Sequence, residues 1–533
     1  MQGRNRLFSV ESVSLRGSFI GRPDATFTSS FPHIKSFVQA VNAVKNNAYL
    51  ENRWNRLPVL RVLSGFLSVF PDGLLVSLYY LIRPAVLTAG YTMCKYLNDP
   101  KLSVAFGVVF TIDNFTTVLI WYANSETLMI RASKFFGAGL HNMVRSTLMN
   151  SITLITMILI LEVVGIVFYG DRILRALGFE ESLAKDCQSI LIKILPVSII
   201  SQYTEIISSY LISLGVETSN YGYMIIASII SVIFGYLLLF FTPLGIWSYV
   251  ITNIIIQITL FSILLSLFYK KLDPKYTQLP TLIESLPTLC TYCIDFLFFF
   301  ISSVGEFLGW EIIVYFAILT GDIDQVAAMT YVVNVACYIF NLSKGPSSVS
   351  KAVVNTLLGA QCKRAAKKFS TVFLVGLFLI GVIFGIGLYF GAEWVALLFV
   401  SSNQRSLRAL VTKVFRAYSL WIPQDIIFVS MMATARSAGL TTLSIILNIV
   451  FPIVGQISVA LWLKSTERLN WFAILYNTYI MFFVMFVCLG VVMATMNWKN
   501  IPDLQDEQQP LAMDIIKEEE NDARTEYNGP AHH

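Results

Sequence analysis

Apolar runs long enough to cross a bilayer follow one another along almost the whole chain, and few architectures accept that pattern. A hydrocarbon core of about 30 Å takes roughly 20 residues of helix, and every backbone polar group inside it must be bonded within the protein. The runs predict spans near 66–94, 103–124, 144–169, 187–213, 221–242 and 245–268, then near 294–320, 325–343, 370–392, 408–434, 441–463 and 470–495. The fold class is therefore an all-α polytopic membrane protein with about twelve transmembrane helices. The composition agrees: 13% of the 533 residues are charged, against about 25% in a soluble protein.

The flanks differ in kind. Residues 1–64 carry Arg4, Arg6, Arg16, Arg22, Arg53, Arg56 and Arg61 and no uninterrupted apolar core. They are expected to be a cytoplasmic, largely disordered leader, without the apolar region of a secretory signal. A charged linker at 271–293 separates the two sets of spans, and its last part, 285–293, is expected to be a surface helix leading into the seventh. Residues 498–533 form an acidic tail with Asp506, Glu507, Glu518, Glu519, Glu520 and Asp522. Arg131 and Lys134 follow the second span and Lys363, Arg364, Lys367 and Lys368 follow the eighth. An excess of Lys and Arg marks the cytoplasmic side, so both termini are expected there, in the plasma membrane or an endomembrane such as the vacuole's.

The sequence also repeats itself. Phe135-Phe-Gly-Ala-Gly139 is read as opening the third span, and Leu357-Leu-Gly-Ala-Gln361 as opening the ninth. Tyr210-Leu-Ile-Ser-Leu-Gly215 ends the fourth, and Ala433-Thr-Ala-Arg-Ser-Ala-Gly439 ends the tenth. Both pairs are roughly 220 residues apart, the length of six helices, which implies parallel repeats about an axis normal to the membrane. Residues 65–270 are then an N-lobe and 294–497 a C-lobe, two six-helix pseudo-symmetric lobes around a central cleft. That is how alternating-access transporters are built.

Within this apolar frame, the acids are the candidates for function. Glu306 and Glu311 fall in one span, where an ionised carboxylate is costly unless paired, neutralised or wet. Five residues separate them, about 140° around a helix and 7.5 Å along it. A shared cavity would need a bend, which Gly305 and Gly309 would permit. Asp425 follows Pro423, which should break the tenth helix. Asp113 and Glu205 in the first half are either site residues or helix ties, Arg83 in the first span is a candidate partner for one of them, and Asp295 is expected near the mouth of the seventh span. The histidines, His33, His141, His532 and His533, all lie outside the middle of apolar runs. That argues against an enzyme such as an acyltransferase, against haem and against an intramembrane metal. Cys290 and Cys293 have no second pair to complete a metal site and are read as buried free thiols.

Several of these residues form motifs that resemble those of the MATE (multidrug and toxic compound extrusion) transporters, especially their eukaryotic branch. Glu306-Phe-Leu-Gly-Trp310-Glu311 is similar to the family's seventh-helix Glu-aromatic-aromatic-small-aromatic-Glu, with Leu308 in place of one aromatic. Gly345-Pro-Ser-Ser-Val349 and Val354-Asn355-Thr-Leu-Leu-Gly359-Ala360 resemble the Pro-Gly turn and the Asn-x-Leu-Gly-Ala that follow the family's eighth helix. The resemblance places Asn334 at a Glu/Asn position of that helix and Asp425 at the acidic tenth-helix position. In the first half Asn114 and Gly137-Ala138 match, whereas Lys134 stands for a Gln and Leu75 for a Pro. It implies an antiporter exporting organic cations, xenobiotics or metabolites in exchange for protons. Glu306, Glu311, Asp425, Asn334 and Trp310 would bind substrate or proton, and Asp113, Asn114, Glu205, Asp295 and Arg83 are secondary candidates. Phe307, Trp310, Tyr315 and Tyr338 would offer aromatic faces to a cation. No cofactor, metal or nucleic acid is expected; the partners are a small-molecule cation and the bilayer, and the protein is expected to act as a monomer. Sodium coupling is one alternative. A flippase of lipid-linked sugars, which would need basic cleft residues, is another.

Overall fold

The structure, a computed structural model, describes residues 70–82, 84–86, 90, 105–106, 108–109, 112–176, 180–216, 221–242, 244–400, 404–498 and 501. Among them there is no strand. Residues 70–82 are helix α1. A π-turn at Asn114–Val118 leads into α2, Leu119–Ala138, followed by α3, His141–Ala176, and α4, Glu181–Ser213. Next come α5, Tyr221–Phe241, α6, Trp247–Lys271, and the short α7, Pro274–Thr277. The second half holds α8, Leu282–Ile318, α9, Ile323–Gly359, and α10, Lys363–Phe399. The tenth span is the pair α11, Arg405–Ser419, and α12, Ile422–Ser437. The last two are α13, Thr441–Ser465, with a π-helical stretch at Ile449–Gly455, and α14, Trp471–Thr495.

Nine of the described helices are long and apolar enough to cross a bilayer. With α1, α2 and the broken α11–α12 pair they make the twelve spans expected. The ends differ from expectation in three places. α2 runs on to Ala138 with Arg131 and Lys134 inside it, and α9 runs through Pro346 to Gly359 with Lys344 and Lys351 inside it. Charge ordinarily marks the end of a span, but here Lys344 and Lys351 turn inward to partners in the protein. Residues 282–293 are the first turns of α8 rather than a separate surface helix, started by a capping box in which Thr281 and Glu284 satisfy each other's backbone N–H groups.

The repeat is written in the turns. Gly139 and Gln361 both have left-handed backbone (φ 79° and 63°), as do Gly215 and Gly439 (71° and 82°), and Gly245 and Glu467 (54° and 56°). Each pair is separated by the same roughly 220 residues, and each ends a helix or joins two, the left-handed residue releasing the chain from the helix. The Gly-Ala motifs therefore close the second and eighth spans rather than open the third and ninth. Side chains that face outward are large and apolar, including Leu161, Phe168, Phe241, Ile383, Phe390 and Leu398. In water such a belt would aggregate, whereas in a bilayer it is solvated by lipid tails.

The two halves meet most closely between α2 and α9. A Cβ on Gly359 would lie 1.9 Å from the carbonyl oxygen of Lys134, and one on Gly137 would lie 2.1 Å from that of Thr356. Between α1 and α9, a Cβ on Gly345 would meet the backbone of Ser77 at 2.2 Å. These obstacles are backbone atoms and cannot swing aside. Gly359→Ala is expected to force α2 and α9 apart at this end and to lower stability by about 1–3 kcal/mol, the usual range for overpacking. Thermal unfolding of the purified variant checks the loss of stability, and labelling of a cysteine placed at Thr356 checks the separation. An unshifted midpoint with no gain in labelling would refute the close approach.

Candidate functional site

Buried charge concentrates along the α2–α9 seam. α2 contributes Glu126, α4 Glu205, α8 Glu306, α9 Lys344 and Lys351, and α12 Arg436, and all six side chains are at most 8% exposed. Lys351 Nζ donates to Glu126 Oε1. Arg436 lies between two carboxylates, 3.8 Å from Glu126 Oε2 and 3.5 Å from Glu306 Oε2, and it also donates to Ser302 Oγ at 2.9 Å. Lys344 Nζ is 4.0 Å from Glu205 Oε1. Three acids face three bases, and the Lys351–Glu126, Lys344–Glu205 and Arg436–Glu126 contacts join the first half of the chain to the second. Breaking one member of such a buried set strands an opposite charge in low dielectric.

Its position follows from helix geometry. Glu126 lies about 18 Å before the end of α2 and Lys351 about 12 Å before the end of α9, at 1.5 Å per residue. Lys351 therefore sits toward the side carrying Lys134, Lys363 and Lys367, and meets Glu126 near the middle of the helical run 112–138. The same end is fastened further by Arg131 to Asp295 at 2.6 Å, Tyr292 hydroxyl to Asn124 Oδ1 at 2.8 Å, and Asn150 to Thr288 Oγ1 at 2.8 Å. Toward the opposite end, Asn334 and Cys337 on α9 are exposed.

Two further acidic sites flank the seam. A cavity of about 100 Å³ in the first half is bordered by Asp113, Glu205, Tyr79, Tyr80, Trp121 and Asn253. Asp113 accepts from Ser198 Oγ at 3.1 Å, and Glu205 accepts from the Tyr79 and Tyr80 hydroxyls at 3.3 and 3.4 Å and from Ser125 at 3.2 Å. In the second half, Asp425 is in the first turn of α12, just past the break at Leu420–Trp421 that Pro423 was expected to cause. The Tyr418 hydroxyl donates to it at 2.9 Å and that of Tyr479 at 3.4 Å. Tyr479 stacks on Trp421 at 5.2 Å and meets Trp310 edge-on at 5.9 Å.

The residues singled out from sequence thus part company. α8 is helical throughout, and Gly305 and Gly309 make room for neighbours: a Cβ on Gly309 would lie 2.9 Å from Phe482 and from Pro452. Glu306 turns to Arg436. Glu311 is half-buried, with no hydrogen bond or ion pair among the described residues. Trp310 packs on Phe482 at 5.8 Å. Asn334 bonds the carbonyl of Thr330 in its own helix at 2.9 Å, and Asp295, expected near the mouth of the seventh span, is paired with Arg131. Arg83 and the side chain of Asn114 lie outside the described residues. The thiols of Cys290 and Cys293 are free, exposed and half-buried respectively, not buried. Glu126, Lys344 and Lys351 were not identified from sequence. Their signal was the seven-residue spacing of Lys344 and Lys351, two turns on one helix face, within a pattern that continues past the first charge.

Twelve spans in two repeats, joined to each other by a network of buried ion pairs, make the architecture of a polytopic membrane protein. The MatE family model matches residues 81–237. The chain is similar in structure to the eukaryotic MATE transporter AtDTX14, at 13% identity over 83% of this chain and 97% of that one, with a TM-score of 0.71. It is also similar to a mutant of the Vibrio cholerae MATE transporter VcmN, at 14% identity over 82% and 99%, TM-score 0.68. A third likeness is to a MOP superfamily transporter from Pyrococcus furiosus, at 14% identity over 80% and 95%, TM-score 0.66, for which a reversed polarity of the binding pocket suggests a different function. No curated protein matches by sequence. The resemblance read from the motifs is upheld: a MatE segment lies in the first half, and the chain has the fold of the MATE transporters of the MOP superfamily.

Proposed function

We propose that the protein is a secondary active antiporter that exports organic cations, xenobiotic or metabolic, in exchange for protons by alternating access. The observation that carries this reading is Glu306: buried, with one oxygen on Arg436 and the other, Oε1, lacking a hydrogen-bond partner among the described residues. A proton taken up there from the outer or luminal face removes one negative charge from a seam whose charges otherwise cancel. Arg436 and Lys351 are then left with too little counter-charge, and the closed end, cytoplasmic by the positive-inside rule, separates. Proton loss to the cytosol restores the seam. Proton and cation are then bound in turn, the proton at Glu306 and the cation at the end that its uptake opens, so inward movement of protons drives the cation outward.

The three buried bases give the flippase alternative something to stand on, since an anionic headgroup needs cations. Each of them faces a carboxylate, so the seam offers no net positive field, and the cation reading is preferred. Reconstituted vesicles loaded with a fluorescent organic cation test the proposal. Export should follow an imposed pH gradient, with an opposed sodium gradient having little effect. Export driven by sodium alone would replace the coupling ion, and no transport of any cation in a broad panel under either gradient would sink the reading.

A further inference from the structure

The ammonium of Lys344 is held as proteins hold a ligand. Its Nζ lies 3.7 Å from the ring centre of Trp121, 4.1 Å from that of Tyr80 and 5.0 Å from that of Tyr122, and 4.0 Å from Glu205 Oε1. The side chain is 3% exposed. Several aromatic faces and one carboxylate around an ammonium form the usual cage for alkylammonium ligands, because the negative ring faces and the carboxylate replace the water the cation has lost. The cage is built by α1, α2 and α4 of the first half, whereas the cation comes from α9 of the second. Movement of α9 away from α1 and α2 withdraws the ammonium and leaves the cage behind. Close packing at this point does not depend on the lysine head, since Gly345 and the backbone of Ser77 set the approach of the helices.

We propose that the cage of Tyr80, Trp121, Tyr122 and Glu205 is a binding site for a monovalent alkylammonium head, and that Lys344 is a tethered cation that displaces it when the seam closes. Naming that ligand a transported substrate rests on the antiporter reading above; its binding does not. While the seam is open, a cation from that side takes the place of the withdrawn Lys344. As α9 returns, the ammonium of Lys344 re-enters, and the substrate is driven toward the adjoining cavity, which shares Tyr80, Trp121 and Glu205 with the cage and reaches Asp113. At every stage Glu205 faces one positive charge, so the exchange never leaves its carboxylate buried and uncompensated. Ejection then needs only closure of the seam, which separates it from the step that takes up a proton at Glu306.

Lys344→Ala removes atoms equivalent to n-propylammonium, and that ion is the probe. For the purified full chain, calorimetry should show n-propylammonium binding to Lys344→Ala about tenfold or more tighter than to wild type, with a melting midpoint that rises with ligand only in the variant. Adding Glu205→Gln or Trp121→Leu should abolish the gain, and Lys344→Arg should not produce it. Equal binding by wild type and Lys344→Ala, or a gain that survives loss of both Glu205 and Trp121, would overturn the proposal. Should Lys344→Ala not accumulate folded, Trp121→Leu with Lys344 intact carries the test. A rise of about tenfold in the KM for alkylammonium export at unchanged folded yield supports the site, and an unchanged KM overturns it. A binding gain in a protein that transports nothing leaves the cage standing and removes the antiporter; proton-driven export without a binding gain does the reverse.

Discussion

Arg436→Met is expected to destabilise the protein by about 3–5 kcal/mol, the cost of breaking a buried ion pair from one side. The guanidinium serves Glu126 at 3.8 Å, Glu306 at 3.5 Å and Ser302 at 2.9 Å, and its side chain is 1% exposed. Methionine fills most of the volume but leaves Glu306 without an ion-pair partner among the described residues and Glu126 paired only with Lys351. The comparison that isolates charge from packing is the double variant Arg436→Met/Glu306→Gln, which removes one stranded acid together with its partner. Equilibrium unfolding in detergent should show it less destabilised than the sum of the two single changes, because sites that share a contact do not add. Additive losses, or a single variant as stable as wild type, would mean that the seam contributes no ion-pair energy.

Glu306→Gln is the second large effect, on transport rather than stability. Glutamine keeps the shape of the side chain and can still accept from Arg436, but it carries neither charge nor a titrating proton. It resembles the protonated acid permanently, so the seam should favour its open state and export driven by a pH gradient should fall about tenfold or more. Binding of an organic cation, measured without a gradient, should also lose its dependence on pH in this variant. Glu311→Gln is a control from the same helix: half-buried and away from the seam, it should leave the pH dependence of binding in place even where it lowers affinity. If Glu306→Gln retained pH-driven export at matched surface expression, the proton would have to be carried elsewhere, with Asp425 between Tyr418 and Tyr479 the next place to look.

These two residues show unequal legibility. Glu306 is visible in the sequence because a carboxylate inside an apolar span has no ordinary explanation, and the same reasoning finds Glu205 and Asp425. Arg436 appears there only within the repeated stretch Ala433–Gly439 and not as a charge. Lys351, Lys344 and Glu126 look like the boundaries of spans, since a lysine at the end of an apolar run ordinarily marks the membrane surface. That inference fails where two helices bury opposite charges against each other, for the hydropathy of one stretch of sequence does not contain the partner that neutralises it. Pro346 misleads in the same way: it breaks an isolated helix, but α9 passes through it.

What the sequence by itself determined is the set of spans, the repeat and the presence of costly acids. Each is local, following from the length of an apolar run, the motifs ending at Gly139 and Gly215 with their counterparts, and the cost of charge in hydrocarbon. What only the tertiary structure decided is which charges meet. Glu126, Lys351, Arg436 and Glu306 stand on four helices, up to 310 positions apart in the chain, and become neighbours only in the packed bundle, where glycines let α2 and α9 touch backbone to backbone. Glu306 and Glu311, five residues apart, were separated by the helix itself: an unbroken run turns one toward Arg436 and the other away.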